Sequence, residues 1–282
     1  MADKEFSLIN LDGLGECAKA LLDKITSAIG WVATRETPKR IAIQTYIDDI
    51  KHGNFDPLTK AVLISTAQKT IAEYANQKAI IQHAISSMKE TADPKQVEND
   101  WISQFMDKAR LVSDSDFQLI WGRILAEECN TPGSVPRSLL HILGQMERND
   151  AERFTKLCSF SVAVIENDKF TYSPIVTDSI FKDYISTHGL DFDSLVDLRA
   201  LGLIEMNMGL FDCSYSSSFS NLPIEVHYFD KRYVLPDEAK VLPVGNVIFT
   251  KTGQVLCQAI VAEEQEDFFD KYCVPFWKSK FK

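Results

Sequence analysis

Apolar residues recur every three or four positions through the first half of the chain, which is the spacing of amphipathic helices. The pattern is clearest across residues 98–160. Asp114 offers a helix cap, and Pro132 disfavours the helical conformation at the residue before it, so one helix is predicted from near Asp114 to near Asn130. Short connections to neighbouring helices favour an antiparallel bundle around Trp121 of this helix.

A long helix is predicted ahead of this bundle. No glycine or proline interrupts the chain from Pro57 to about Met88, so the helix would be about 45 Å long at 1.5 Å per residue. Apolar residues recur along it at the seam spacing of a coiled coil. Lys78 is the exception, a charged residue at a seam position. Two interpretations stay open: the seam packs within the chain as a helical hairpin, or it forms the contact in a dimer or higher oligomer. The candidate seam consists of Ile64, Ala67, Ile71, Tyr74, Ile81, Ile85 and Met88.

The first helix of the chain is predicted over residues 14–32, and a short one is predicted around Ile47. The apolar stripe of the first helix has two interpretations, contact with a membrane surface or partner and packing against the bundle. Its polar side carries balanced charge, whereas helices that lie on membranes are enriched in lysine and arginine. Packing against the bundle is therefore favoured.

Beyond Phe160 the pattern becomes mixed. Two helices are predicted, around residues 180–185 and at 191–201, and a last helix is predicted at 252–262. Strands are predicted at residues 203–206, 211–219, 232–235 and 245–249. Two helices, a strand, a β-wing and a strand that leads into a helix are typical of a winged-helix domain.

The second helix of a winged-helix domain can enter the major groove of DNA. In this chain it carries Asp191, Asp193 and Asp197 against only Arg199, so phosphate groups would repel it. The net charge of −10 likewise disfavours binding of the whole chain to nucleic acid. Nucleic acid is thus a disfavoured partner, and a protein-binding winged helix is preferred.

The last residues of the chain combine lysines with aromatic rings. Such a tail can bind an acidic protein partner or touch a membrane surface peripherally. It can equally fold back onto the acidic body of its own chain, and the sequence leaves both interpretations open. The candidate partner-binding residues are Lys271, Phe276, Trp277, Lys278, Lys280 and Phe281.

These elements predict a mainly α protein, with a helical bundle and a long coiled-coil-like helix followed by a C-terminal α+β winged-helix-like domain. The 282 residues, 45% of them apolar, suffice for two or three lobes. Four parts are predicted: N-terminal helices at 1–92, a central bundle at 93–165, a winged-helix-like domain at 166–262 and a basic-aromatic tail at 263–282.

No sequence pattern indicates an active site. Five histidines and six cysteines share no metal-ligand spacing, and the absence of a CxxC pair favours reduced, buried thiols. Glu127 and Glu128 are adjacent in a predicted helix and point about 100° apart, so they do not converge on one substrate atom. GxSxG, GxxxxGK[ST] and GxGxxG motifs are absent. We therefore predict no catalytic residue, no metal and no cofactor.

The chain is expected to be cytoplasmic. No apolar run approaches the length that a membrane-spanning helix needs, and the first residues lack the basic and then apolar pattern of a signal peptide.

The central segment resembles a bacterial family of unknown biochemical function. The resemblance rests on the pattern Asp116-x-Gln118-x-x-Trp121-x-x-Ile124-Leu125-Ala126-x-Glu128, followed by Pro132-Gly133-Ser134 and Asp150-Ala151-x-x-Phe154. Weaker similarity extends over residues 14–260. The family is related to the abortive-infection alpha proteins, which are implicated in halting phage growth. It has no established catalytic residues, so the resemblance implies none here.

The sequence thus favours a non-enzymatic interaction protein of bacterial anti-phage defence, which acts through oligomerisation or through a protein partner. A DNA-binding regulator that uses the winged helix is the alternative. A hydrolase whose residues are assembled only in space is a third hypothesis.

Overall fold

The computed structural model describes residues 5–6, 8–9, 13–31, 41–166, 169–207, 215–219 and 222–281. The chain divides into two compact units, residues 1–140 and 141–282. The fold is largely helical, as the sequence predicts, and most strands lie in the second unit, which mixes helices with small antiparallel sheets. Among the described helices, none combines the length and the apolar character that crossing a membrane requires.

The first unit is built from helices whose ends follow local sequence signals. Asp114 caps helix α5 by accepting hydrogen bonds from the backbone N–H groups of Asp116 and Phe117. The helix ends at Asn130, which confirms the predicted span. The elements are β1 (Glu5–Phe6), α1 (Glu16–Ile29), β2 (Ile41–Ala42), α2 (Ile43–His52), α3 (Pro57–Ser87), a 3₁₀ turn (Pro94–Gln96), α4 (Asn99–Ala109), α5 (Ser115–Asn130) and α6 (Arg137–Leu143), whose last three residues belong to the second unit.

The core of the first unit is an aromatic cluster between α4 and α5. The ring of Phe105 lies 5.2 Å from that of Trp101 and 5.1 Å from that of Trp121, measured between centroids. Trp101 and Trp121 are both buried, and the indole N–H of Trp101 donates to the carbonyl of Val135. The apolar face of α1 is also buried in this unit, through Ala18, Leu21, Leu22 and Ile25.

The second unit combines helices with three small sheets. In the largest sheet the strands run in the order β4-β3-β7-β8, while β5 pairs with β10 and β6 pairs with β9, all antiparallel. The elements are α7 (Arg148–Cys158), β3 (Ser161–Glu166), β4 (Lys169–Pro174), α8 (Asp178–Asp183), a 3₁₀ turn (Ile185–His188), α9 (Phe192–Ala200), β5 (Ile204–Met206), β6 (Tyr215–Ser218), β7 (Glu225–Tyr228), β8 (Lys231–Val234), β9 (Val241–Gly245), β10 (Val247–Phe249), α10 (Lys251–Ala259), a π-helical turn (Phe268–Cys273) and α11 (Val274–Lys280).

Several predicted boundaries in this unit need correction. The helical pattern predicted across residues 98–160 ends at Cys158, and β3 follows from Ser161, a strand that the sequence pattern did not reveal. The last predicted helix ends at Ala259 rather than at residue 262. The strand expected at 211–219 is seen as β6, and its first four residues lie outside the described part of the chain.

Candidate interaction surface

Helix α3 carries the predicted seam, and its first turn is fixed by a strong cap. The carboxylate of Asp56 accepts hydrogen bonds from the backbone N–H groups of Leu58 and Thr59, at 3.0 and 3.1 Å. Pro57 occupies the first helical position, where its missing N–H costs nothing. The helix therefore begins where the sequence predicts and runs for 31 residues.

The C-terminal third of α3 packs within its own unit. Ile80, Ile81 and Ala84 are completely buried. Gly122 of α5 faces this part of α3, and a Cβ atom at position 122 would lie only 2.4 Å from the Cβ of His83. Ile81, a member of the predicted seam, therefore has no surface to offer to a second copy of the chain.

The middle of α3 is held by Trp31, which precedes the second helix. The rings of Trp31 and Tyr74 are stacked, with centroids 4.6 Å apart and planes 2° from parallel. The Trp31 indole N–H donates to the amide oxygen of Gln77 at 3.0 Å, and the Gln77 amide donates to the carbonyl of Met106. Burial raises the pKa of Tyr74 to about 12. Tyr74 thus makes its contacts inside the unit.

Polar residues between the seam positions tie α3 to α4 and α5. Arg110 donates to the carboxylate of Glu73, and the amide of Asn76 donates to the carbonyl of Arg110 at 2.9 Å. Hydrogen bonds to Asp107 and to Glu73 raise the pKa of Arg110. Sequence reasoning missed the role of Asn76 and Gln77, because a polar side chain between seam positions is equally typical of a solvated face.

The N-terminal half of α3 is different, because large apolar side chains remain in solvent. The exposed fractions are 75% for Leu58, 55% for Val62 and 37% for Leu63, and Phe55 just ahead of the helix is 50% exposed. We call these four residues the apolar stripe. The remaining seam positions Ile64, Ala67, Ile71, Ile85 and Met88 are half-buried.

The apolar stripe was missed at the sequence level, although a signal was present. Phe55, Leu58 and Val62 follow one another at steps of three and four, which places Leu58 and Val62 on one face of the helix. The heptad spacing of the predicted seam begins only at Ile64 and so does not include these positions. Tyr46 on the neighbouring helix α2 is a further exposed aromatic residue, at 46%.

The basic-aromatic tail forms the π-helical turn and α11, and its central aromatic residue lies in the core. Trp277 is completely buried, its ring stacks on Tyr233, and its indole N–H donates to the carbonyl of Pro243 at 3.0 Å. Lys271, Lys278 and Lys280 are exposed, whereas Phe276 and Phe281 are half-buried. The predicted partner-binding set is therefore divided, with the lysines on the surface and Trp277 inside.

Helix α9, the predicted acidic helix, uses two of its three carboxylates within the unit. Asp191 caps the helix by accepting hydrogen bonds from the backbone N–H and the hydroxyl of Ser194. These hydrogen bonds lower the pKa of Asp191. Asp197 forms an ion pair with Arg153 of α7. Phe192 and Val196, one helical turn apart, are 49% and 40% exposed.

Glu128 is a buried carboxylate that hydrogen-bonds the backbone of the loop after α5. It is 2% exposed and accepts hydrogen bonds from the backbone N–H groups of Gly133 and Val135, at 2.7 and 2.9 Å. Burial raises the pKa of Glu128, although these two hydrogen bonds act in the opposite direction. The carboxylate thus holds the loop after α5.

Within the described ranges, no group of three or more histidine, cysteine or acidic residues is arranged to hold an ion. Cys129, Cys158, Cys257 and Cys273 are free and buried, and Cys17 is half-buried. Cys213 lies outside the described residues.

One family model matches the chain. It is described as a protein of unknown function (DUF2806), and the match covers residues 65–273, well over half of the sequence. No curated protein matches the chain, and no solved structure does. The matching description makes no link to abortive infection, so the relation to phage-defence proteins stays a prediction.

Proposed function

Because the chain belongs to the DUF2806 family, whose description names no activity, we propose its function from its surfaces. We propose that it is a non-enzymatic protein-interaction component of bacterial anti-phage defence, and that it works as a homo-oligomer. The contact is the apolar stripe on the N-terminal half of α3.

The observation that carries this proposal is the exposure of Leu58, Val62 and Leu63 on consecutive turns of a well-capped helix. Single exposed apolar residues are common on protein surfaces, whereas neighbouring ones mark interaction sites. Phe55 adds an aromatic ring beside them, and aromatic residues are enriched at interfaces. Burial of these side chains in a contact removes apolar area from water.

The charge around the stripe favours a second copy of the chain as the occupant. Residues 43–72 contain three aspartates, at 48, 49 and 56, and three lysines, at 51, 60 and 69, so their formal charge is zero. The whole chain carries −10, and most of its surface would repel an identical copy. Helices α2 and α3 therefore offer a region where two copies approach without that repulsion.

The proposed contact is the apolar stripe, which is shorter than the seam predicted from Ile64 to Met88. Ile81 is buried in its own unit and Tyr74 is engaged by Trp31, so neither serves a second copy. Ile64 and Ala67 are half-buried beside the stripe and contribute at its edge. A coiled coil over the full length of α3 is not required.

Phage plating tests the biological part of the proposal. Cells that carry the gene should restrict plating of at least one phage in a broad panel that includes prophage-related phages. The Leu58→Glu/Val62→Glu variant should lose that restriction at unchanged protein level. Equal plating with and without the gene across the panel would contradict a role in defence.

The winged-helix hypothesis is supported by the order of α8, α9, β5 and β10, with β5 and β10 paired. We propose that this region binds protein rather than DNA. Phe192 and Val196 are exposed on α9, while Asp193 is an exposed acid between them. Purified protein that carries nucleic acid and releases it as salt rises would favour the DNA-binding alternative.

A further inference from the structure

A cavity of about 330 Å³ lies within the second unit, against the sheet formed by β4, β3, β7 and β8. Its volume falls in the range of small-molecule sites. Its lining includes the aromatic residues Phe170, Tyr172, His227, Tyr228 and Phe229. The end of α10 and the residues after it, including Cys257 and Val261, complete the wall.

The cavity arises because one small residue lies between two large ones. Ala163 on β3 pairs with Tyr172 of β4 on one side and with His227 of β7 on the other. Neighbouring strands are about 4.8 Å apart, so the backbones at Tyr172 and His227 are separated by roughly 9.5 Å. Only the methyl group of Ala163 fills the space between these two side chains on the sheet.

The rim of the cavity carries an aromatic residue that its backbone position does not favour. Phe229 is the first residue of the two-residue turn between β7 and β8, with φ of 52°. Glycine and asparagine are the usual residues in this left-handed conformation, and a phenylalanine is strained there. Its ring is 49% exposed and packs edge-on against Tyr228, with centroids 4.9 Å apart. The turn alone gives no reason for an aromatic side chain at this position.

The opposite wall has the same character. Phe170 is 48% exposed, and its ring lies 6.2 Å from that of Tyr172 with planes 25° apart. Val261, at 66% exposure, adds an aliphatic edge. A ligand between these walls would cover apolar surface that is otherwise in water.

Polar groups at the cavity can orient a ligand, and their charges are balanced, so they do not favour a charged ligand. The Nε2 atom of His227 lies 3.6 Å from a carboxylate oxygen of Glu225, and Arg232 contacts the same oxygen at 3.3 Å. The guanidinium of Arg232 thus balances the Glu225 carboxylate. The Tyr172 hydroxyl is protonated at neutral pH and can donate a hydrogen bond, and burial raises its pKa further.

We propose that this cavity binds an uncharged planar aromatic ring with a hydrogen-bonding edge, such as a heterocycle or a phenol. The ring stacks against the aromatic walls in offset or edge-on geometry, and its polar edge meets His227 or Tyr172. The ring belongs either to a free small molecule or to a side chain of a peptide. This proposal does not depend on the oligomer proposed above, because all the lining residues lie in the second unit.

Saturation-transfer NMR on the full chain tests the proposal, with three probes. Indole is the free aromatic ring, cyclohexylmethanol is an aliphatic compound of similar size, and acetyl-Gly-Trp-Gly-amide presents the ring on a peptide. Indole should bind and cyclohexylmethanol should not. Transfer to the peptide indole in addition would show that a side chain can be the source, while transfer to free indole alone would indicate a small molecule.

Two rim variants and one control locate the binding. Phe229→Gly should weaken indole binding at least about fivefold while the thermal unfolding midpoint stays the same or rises, since glycine adopts a positive φ without strain. Val261→Asn changes an exposed side chain and should also weaken binding, which keeps the test valid if the first variant folds poorly. Phe192→Ala, an equally exposed phenylalanine in the same unit but outside the cavity lining, should bind as the wild type does.

Failure of indole to bind, or equal binding of cyclohexylmethanol, would overturn the proposal. Unchanged indole binding in both rim variants would also overturn it.

Discussion

Gly122 on α5 lies so close to His83 on α3 that a Cβ atom at position 122 would stand 2.4 Å from the Cβ of His83. The carbonyl oxygen of Ile80 would be 2.9 Å from the same atom. The two helices can approach this closely only because residue 122 has no side chain. This contact holds the C-terminal part of α3 inside the first unit, and it leaves the N-terminal part as the portion of α3 with exposed apolar residues.

Gly122→Ala should therefore destabilise the protein, because the helices must separate to admit one methyl group. Overpacking of a buried contact typically costs about 1 to 3 kcal/mol. Urea unfolding measures the loss. Gly15→Ala is the control for added volume, since nothing lies within 4 Å of an added Cβ there. Gly15 is the N-cap of α1, so this variant should cost no more than about 1 kcal/mol. Equal stability of the two variants would contradict the close approach.

Trp121 should respond very differently to two substitutions. Its ring is completely buried, and its indole N–H is the one side-chain polar atom among the described residues that is fully buried without a hydrogen-bond partner. Trp121→Ala should cost about 3 to 5 kcal/mol, as for other large aromatic residues in cores. Trp121→Phe should cost clearly less, since it sacrifices no hydrogen bond. Comparison of the two unfolding free energies tests this, and similar losses would contradict it.

Trp277 provides the complementary case. Its indole N–H donates to the carbonyl of Pro243, so Trp277→Phe leaves that acceptor unsatisfied and should cost about 1 to 3 kcal/mol beyond the loss of ring volume. Trp121→Phe is the reference for the volume term. Lys278→Ala, one residue further along, should change stability by less than about 0.5 kcal/mol. If Trp277→Phe cost no more stability than Trp121→Phe, Trp277 would not belong to the core.

Glu128 should make stability depend on pH. Burial raises its pKa in the folded state above the value of about 4.3 for a free glutamate. The folded protein then binds more protons than the unfolded chain, so the contribution of Glu128 is fully present below about pH 4 and is lost as the pH rises through the folded-state pKa. The stability of the wild type relative to Glu128→Gln should therefore fall as the pH rises above about 4. A difference that stays constant or rises would contradict the raised pKa.

Helix ends were predictable from sequence because their signals are local. The Asp114 cap and the break before Pro132 fixed α5, and Pro57 opened α3 where expected. In the second unit Asp191 caps α9, within one residue of the predicted start. Each of these signals acts over fewer than five residues, so the sequence contains it without knowledge of the fold.

Contacts between distant segments were not predictable in the same way. Strand β3 follows α7 directly and is apolar at consecutive positions, so its periodicity does not separate it from a continued helix. Its partner β7 lies some sixty residues later. The seam on α3 indicated which residues share a face, but not that Trp31 and Gly122 come to lie beside the middle and the end of the helix.

The mass of the protein in solution, measured by light scattering, tests the proposed contact most directly. Wild-type protein should have at least twice the mass of one chain, and it should carry no nucleic acid. Leu58→Glu/Val62→Glu should reduce it to the mass of one chain with unchanged helical content. The control Thr66→Glu/Gln68→Glu places two charges at exposed polar positions of the same helix and should keep the wild-type mass. A wild-type monomer, or a Leu58→Glu/Val62→Glu variant that stays associated, would contradict the apolar stripe as the contact between copies.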